Sequence, residues 1–120
     1  MAGKMKILIL VVGLTLAATP ALAQTQTIAP GEAKTHVGQT VTVEGAVGNV
    51  YIARSGMTFI DMGGRYPDNA FAAVIFTDDA GKFPDIKSLD GKTVDITGAV
   101  SLYRGKPEIV LKTADQVKTK

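Results

Sequence analysis

The sequence predicts an all-β domain: a five-stranded Greek-key barrel with one short helix between its third and fourth strands. Three observations lead there. Five alternating or apolar runs are separated by clusters of turn-forming residues, and the first run is long and interrupted by Gly45 and Gly48. The one stretch with a three-residue apolar spacing, Phe83, Ile86 and Leu89, falls between the third and fourth runs.

The chain opens with residues 1–23, which read as a secretory signal peptide. Lys4 and Lys6 form a basic start, Ile7 to Ala18 is apolar, and Ala21-Leu22-Ala23 before Gln24 is a small-x-small cleavage site. An uncleaved membrane anchor is the alternative, but the apolar run falls short of the roughly 20 residues that span a bilayer. The protein is therefore expected to be exported, periplasmic or secreted, with no membrane insertion after cleavage. The formal net charge of +2 comes from 13 basic and 11 acidic residues. Losing Lys4 and Lys6 brings it to about zero, so bulk attraction to nucleic acid or anionic membrane is not expected, and any such binding needs a local patch. There is no cysteine, which excludes thiol catalysis, thiolate metal sites and disulfide staples, and leaves packing alone to hold the fold.

Residues 24–35 form an N-terminal tether and a short helical turn. Gln24 to Thr27 is polar and expected to be disordered, and Glu32 to His36 can make one helical turn behind Pro30. The domain proper is residues 36–120. Its first strand runs from Thr40 to about Ile52, where Val41, Val43 and Val47 alternate with polar or small residues. Glycine inside such a strand marks a bulge or a bend at a barrel corner. Arg54-Ser55-Gly56 turns the chain into Met57 to Met62, an alternating strand. The Gly63 to Asn69 segment is dense in turn formers, and Phe71 to Phe76 is a nearly continuous apolar third strand. One short helix is expected from about Pro84 to Ser88. Thr93 to Leu102 is the fourth strand, with Val94, Ile96, Val100 and Leu102 on one face. Pro107 to Lys112 is the fifth, with Ile109 and Leu111 inward. Ala114 to Val117 is expected to close the barrel as an irregular cap.

Five strands on a bent first strand, with a helix after the third, is the plan of the OB-fold. An SH3-like barrel also has five strands but lacks a helix at that point. His36-Val37-Gly38-Gln39, Gly45-Ala46-Val47, Thr58-Phe59-Ile60-Asp61-Met62 and Ala73-Val74-Ile75-Phe76 resemble the N-terminal anticodon-binding OB domain of bacterial aspartyl-tRNA synthetases. The resemblance covers roughly His36 to Asp79. It implies the fold, and it implies that Phe59 is a base-stacking residue. Where the family has several arginines after the first strand this chain has only Arg54, and where the family has a base-reading glutamine it has Ala73. With an export signal and no synthetase catalytic domain in the sequence, anticodon recognition itself is not expected. In plan the chain is also similar to small exported OB domains of the bacterial stress-tolerance type.

OB barrels bind single strands by stacking bases on outward aromatic groups and tracking phosphates with cations. If Ile60 and Met62 face the core, Phe59 faces out, and a stack there is worth about 1–3 kcal/mol. The opposite register puts Phe59 inside. Tyr51 with Arg54, Arg65 with Tyr66, and Tyr103 with Arg104 and Lys106 recur as aromatic-plus-cation groups in three loops, although tyrosine and arginine are also ordinary at strand ends. His36, the one histidine, has no catalytic partner at motif spacing and reads as structural. Asp61, Asp68, Asp78 and Asp79 lack any calcium-loop spacing. No catalytic residue, cofactor or metal is expected. The expected function is an exported, non-enzymatic module binding single-stranded nucleic acid or a similar oligomer. The alternative is a periplasmic or stress-tolerance OB domain that binds an envelope protein.

Overall fold

Buried valines set the long strand on which the rest assembles. In the computed structural model, which describes residues 25–120, Val41, Val43, Val47 and Val50 of β2 (Thr40–Ile52) are at most 2% exposed. The expected signal peptide lies outside the described residues. The first half of β2 pairs antiparallel with β5 (Thr93–Tyr103), and its second half pairs with β3 (Thr58–Met62). The register shifts between Val47 and Asn49, so the strand turns from one partner to the other at a bulge around Gly48. A β-carbon on Gly48 would stand 2.5 Å from the Gly64 carbonyl oxygen, and that close approach is what glycine permits there.

β3 pairs antiparallel with β4 (Phe71–Ile75), which pairs parallel with β6 (Lys106–Val110), and β6 pairs antiparallel with β5. Neighbours therefore run from β2 through β3, β4, β6 and β5 back to β2. Ile60, Met62, Phe71, Ile75, Ile96, Ile109 and Leu111 fill the interior of this circuit. Ala33 from the 3-10 helix Pro30–His36 and Phe83 and Leu89 from the β4–β5 connection close its ends.

The structure is a compact all-β fold with a seven-stranded sheet, two strands more than the sequence reading expects. β1 (Thr27–Ile28) lies parallel to β2, where Ile28 is buried and the Gln26 carbonyl accepts from the Thr42 N–H. The polar tether is thus partly ordered, because one buried isoleucine and a backbone bond hold it. β7 (Val117–Thr119) follows the short turn Ala114–Gln116 and pairs with β5, in place of an irregular cap. The single helix expected from Pro84 to Ser88 is replaced by two 3-10 turns, Thr77–Lys82 and Ile86–Leu89. The physical reason is legible afterwards: three residues is the period of a 3-10 turn, and Gly81 and Pro84 both oppose a continuous α-helix. Leu102 is 53% exposed because β5 runs beyond the core into its hairpin with β6.

Candidate functional site

Strand alternation and register place two rows of side chains on the outer side of β2, β3, β4 and β6. Ile60 and Met62 are fully buried, so Phe59 and Asp61 point to the opposite side of β3. One row is Tyr51, Phe59, Val74 and Val110, each directly across from the next. The second is Asn49, Asp61, Ala72 and Glu108. The bulge at Gly48 is what brings Asn49 opposite Asp61. Together with the loops beside them, these rows, Val110 apart, floor a groove of about 770 Å³.

Two loops make the groove walls. The β5–β6 hairpin turns on Arg104 and Gly105, whose φ values of 52° and 80° are those of a two-residue primed turn. Its Arg104 guanidinium lies 5.2 Å from the Tyr103 ring centroid. Opposite it, the loop of residues 63–70 carries Arg65 and Tyr66, and Tyr66 is 77% exposed. Lys106 ties the two walls together. Its Nζ donates to the Pro67 carbonyl (2.9 Å) and to Asn69 Oδ1 (3.0 Å), and it stands 5.8 Å from the Tyr66 ring centroid. Asn69 Nδ2 in turn donates to Asp61 Oδ1 (3.3 Å) and to the Phe71 carbonyl (3.1 Å). A continuous polar chain therefore runs from Lys106 through Asn69 to Asp61 on the floor.

The floor is electrostatically mixed. Burial pushes the Asp61 carboxyl up from its ordinary value, while the Tyr66 backbone N–H and the charges of Lys106 and Arg65 pull it back. Glu108 is also raised by burial. Arg65, Arg104 and Lys106 line the same groove, so cations sit at the rim and two carboxylates sit lower down.

All the sequence-predicted site residues except Arg54 line this groove: Tyr51, Phe59, Arg65, Tyr66, Tyr103, Arg104 and Lys106. Arg54 lies in the tight turn that closes β2 onto β3, where the Ala53 N–H bonds the Met57 carbonyl, and it does not line the groove. A turn at the strand end points away from a face whose residues lie further along the strands. Asn49, Asn69 and Glu108 are not among the residues expected from the sequence, and Asp61 enters there only as an aspartate without calcium-loop spacing. Alternation of Glu108 between inward Pro107 and Ile109 signals that it faces out, but its neighbourhood depends on the parallel β4–β6 pair, which no local pattern shows. His36 bonds Gln39 through Nδ1 (2.9 Å) at the start of β2, and Asp79 pairs with Lys82 (2.9 Å), both outside the groove. Among the described residues no cluster of three or more His, Asp or Glu could hold a metal ion, and no helix is long and apolar enough to cross a membrane.

No protein-family model matches the chain, and no curated protein matches it in sequence. Solved structures do. A protein assigned as an aspartyl-tRNA synthetase from Leishmania major Friedlin is similar over 88% of this chain, with 15% identity and a TM-score of 0.57. The asparaginyl-tRNA synthetase of Entamoeba histolytica is similar over 80%, with 20% identity and a TM-score of 0.56. The chain spans only 22% and 23% of those synthetases' lengths. The OBody AM1L10, solved bound to hen egg-white lysozyme, is similar over 83% of this chain and 98% of its own, with 17% identity and a TM-score of 0.60. These likenesses carry the fold, and they agree with the resemblance to an aspartyl-tRNA synthetase OB domain drawn from the segment around Phe59.

Proposed function

We propose that the protein is a non-enzymatic OB-fold module, its strand circuit a five-stranded Greek-key barrel, that binds single-stranded nucleic acid or a similar oligomer along the β2–β3–β4–β6 face. The observation that carries this reading is the Tyr51–Phe59 pair. The two rings stand 6.2 Å apart with 26° between their planes, on the floor of a groove rimmed by Arg65, Arg104 and Lys106. A flat aromatic floor with cations at its edge suits a ligand of flat groups on an anionic backbone, because stacking works on every base and cations follow the phosphates. In this reading the first 23 residues direct export, and the mature domain acts in the periplasm or outside the cell.

A second reading, an envelope protein as partner, is favoured by Asp61 and Glu108. Two carboxylates on the groove floor weaken its attraction for an anion, and the whole domain is close to neutral once Lys4 and Lys6 are gone. Chemical-shift titration of the mature domain with short oligonucleotides, at low and high salt, tests the first reading. Salt-sensitive shifts centred on Phe59, Tyr66 and Tyr103 support it. No shifts at millimolar ligand, together with recovery of one envelope protein by wild type but not by Phe59→Ala, decide for the second.

A further inference from the structure

The outer face does not end where the groove does. Phe76, the residue after β4, follows Ala72 and Val74 on the outward side, and Lys112 follows Glu108 and Val110 on the outward side of β6. Phe76 is 42% exposed, and Lys112 Nζ stands 5.9 Å from its ring centroid. Lys82 fixes the backbone at this point by donating to the Lys112 carbonyl (3.3 Å) while paired with Asp79 (2.9 Å). Lys112 itself pairs with no carboxylate within 4.0 Å among the described residues.

β6 and its continuation thus present Lys106 at one end and Lys112 at the other, each with an aromatic ring beneath its ammonium. At about 3.3 Å per strand residue the backbone positions of the two lysines are at most roughly 20 Å apart. The Tyr51–Phe59–Val74 floor lies between them. Resting on the functional reading above, we propose that Phe76 and Lys112 form a second subsite, taking a base and its neighbouring phosphate from a nucleic-acid strand that already lies over Phe59. The face then engages a strand of about four nucleotides or more, the lower end of OB-fold site sizes. The occupant follows from the charge pattern. Two cation-plus-ring pairs at opposite ends of the Tyr51–Phe59–Val74 row match a polymer that alternates flat groups with negative charges, whereas a single aromatic side chain of a peptide needs only that central row.

The test is fluorescence anisotropy with a labelled oligothymidylate dinucleotide and octanucleotide across a salt series, using wild type, Phe76→Ala and Lys112→Gln, with circular dichroism to show that each variant is folded. Phe76→Ala is expected to weaken the octanucleotide by about 5-fold or more and to leave the dinucleotide unchanged. Lys112→Gln is expected to flatten the octanucleotide's log K against log salt slope by about 0.7, the value of one phosphate contact on a single strand. Octanucleotide binding with unchanged affinity and slope in both variants overturns the subsite and leaves the functional reading standing. Failure of wild type to bind either length overturns both.

Discussion

Tyr51 and Phe59 stand directly across from each other on β2 and β3, ring centroids 6.2 Å apart. Phe59 also faces Val74 on its other side, so it is the centre of the platform and Tyr51 its edge. Phe59→Ala should therefore lower oligonucleotide affinity by about 1–3 kcal/mol, or roughly 5- to 150-fold, read by anisotropy. The cost in stability should be small, about 0.2–1 kcal/mol for a lost cross-strand aromatic pair. A variant that loses its fold and not merely its ligand would refute the outward assignment.

The next residue should behave in the opposite way. Ile60 is fully buried and packs in the main core cluster. Truncation to alanine removes buried methylenes and leaves a cavity, which costs about 2–5 kcal/mol. Urea unfolding should show a lower midpoint for Ile60→Ala with an unchanged slope. Oligonucleotide affinity at low denaturant should stay close to wild type, because the side chain does not reach the groove.

This contrast between neighbours marks how far the sequence could be read. Alternation is a local property, so the two faces of Met57 to Met62 and the inward valines of β2 were legible from spacing alone. The loops with Tyr66 and Tyr103 were legible because glycine, proline and asparagine announce turns. What escaped was non-local. Glu108 reaches Asp61 only across Ala72, through a parallel β4–β6 pair between segments far apart in sequence. Asn69 gains its role from Lys106, and a loop asparagine gives no sign of bridging to a lysine on β6. Arg54 falls outside the groove lining for the converse reason: proximity to Tyr51 along the chain is not proximity on the face. β1 and β7 are too short to carry a period of their own, and only pairing with β2 and β5 defines them.

The floor carboxylates predict a pH dependence. Burial raises both Asp61 and Glu108 above ordinary carboxylates. A raised folded-state pKa means that the associated stability is fully present in acid and is lost as pH rises through that value. Asp61→Asn, which keeps an oxygen to accept from Asn69, should then be at least as stable as wild type at neutral pH and lose that advantage on acidification. Ligand binding should follow the same sign. Phosphodiesters stay ionised through this window, so affinity should rise as pH falls into the range just above ordinary carboxylate titration and the floor loses its negative charge. Glu108→Gln should raise neutral-pH affinity by about 0.2–1 kcal/mol, the scale of a partly exposed charge interaction, and flatten the pH profile. Anisotropy titrations at neutral and mildly acidic pH measure both, and a steeper profile in Glu108→Gln would contradict the argument.

Gly48 links the strand circuit to the groove wall, which makes it the most informative glycine to change. A β-carbon there would lie 2.5 Å from the Gly64 carbonyl oxygen and 3.4 Å from Arg65 Cγ. The first contact is with backbone, so relief requires the loop of residues 63–70 to move away from β2. Overpacking of this kind costs about 1–3 kcal/mol. The displaced loop carries Arg65, Tyr66 and Asn69, so Gly48→Ala should weaken oligonucleotide binding even at temperatures where the variant is fully folded. Gly31→Ala is the control, because no atom lies within 4 Å of the added carbon and the backbone is not in the left-handed region. Thermal melts and anisotropy on the two variants separate the effects. Gly31→Ala should match wild type in both, and Gly48→Ala should lose in both. A Gly48→Ala protein with lowered Tm but wild-type affinity would show that the loop's position does not set the groove.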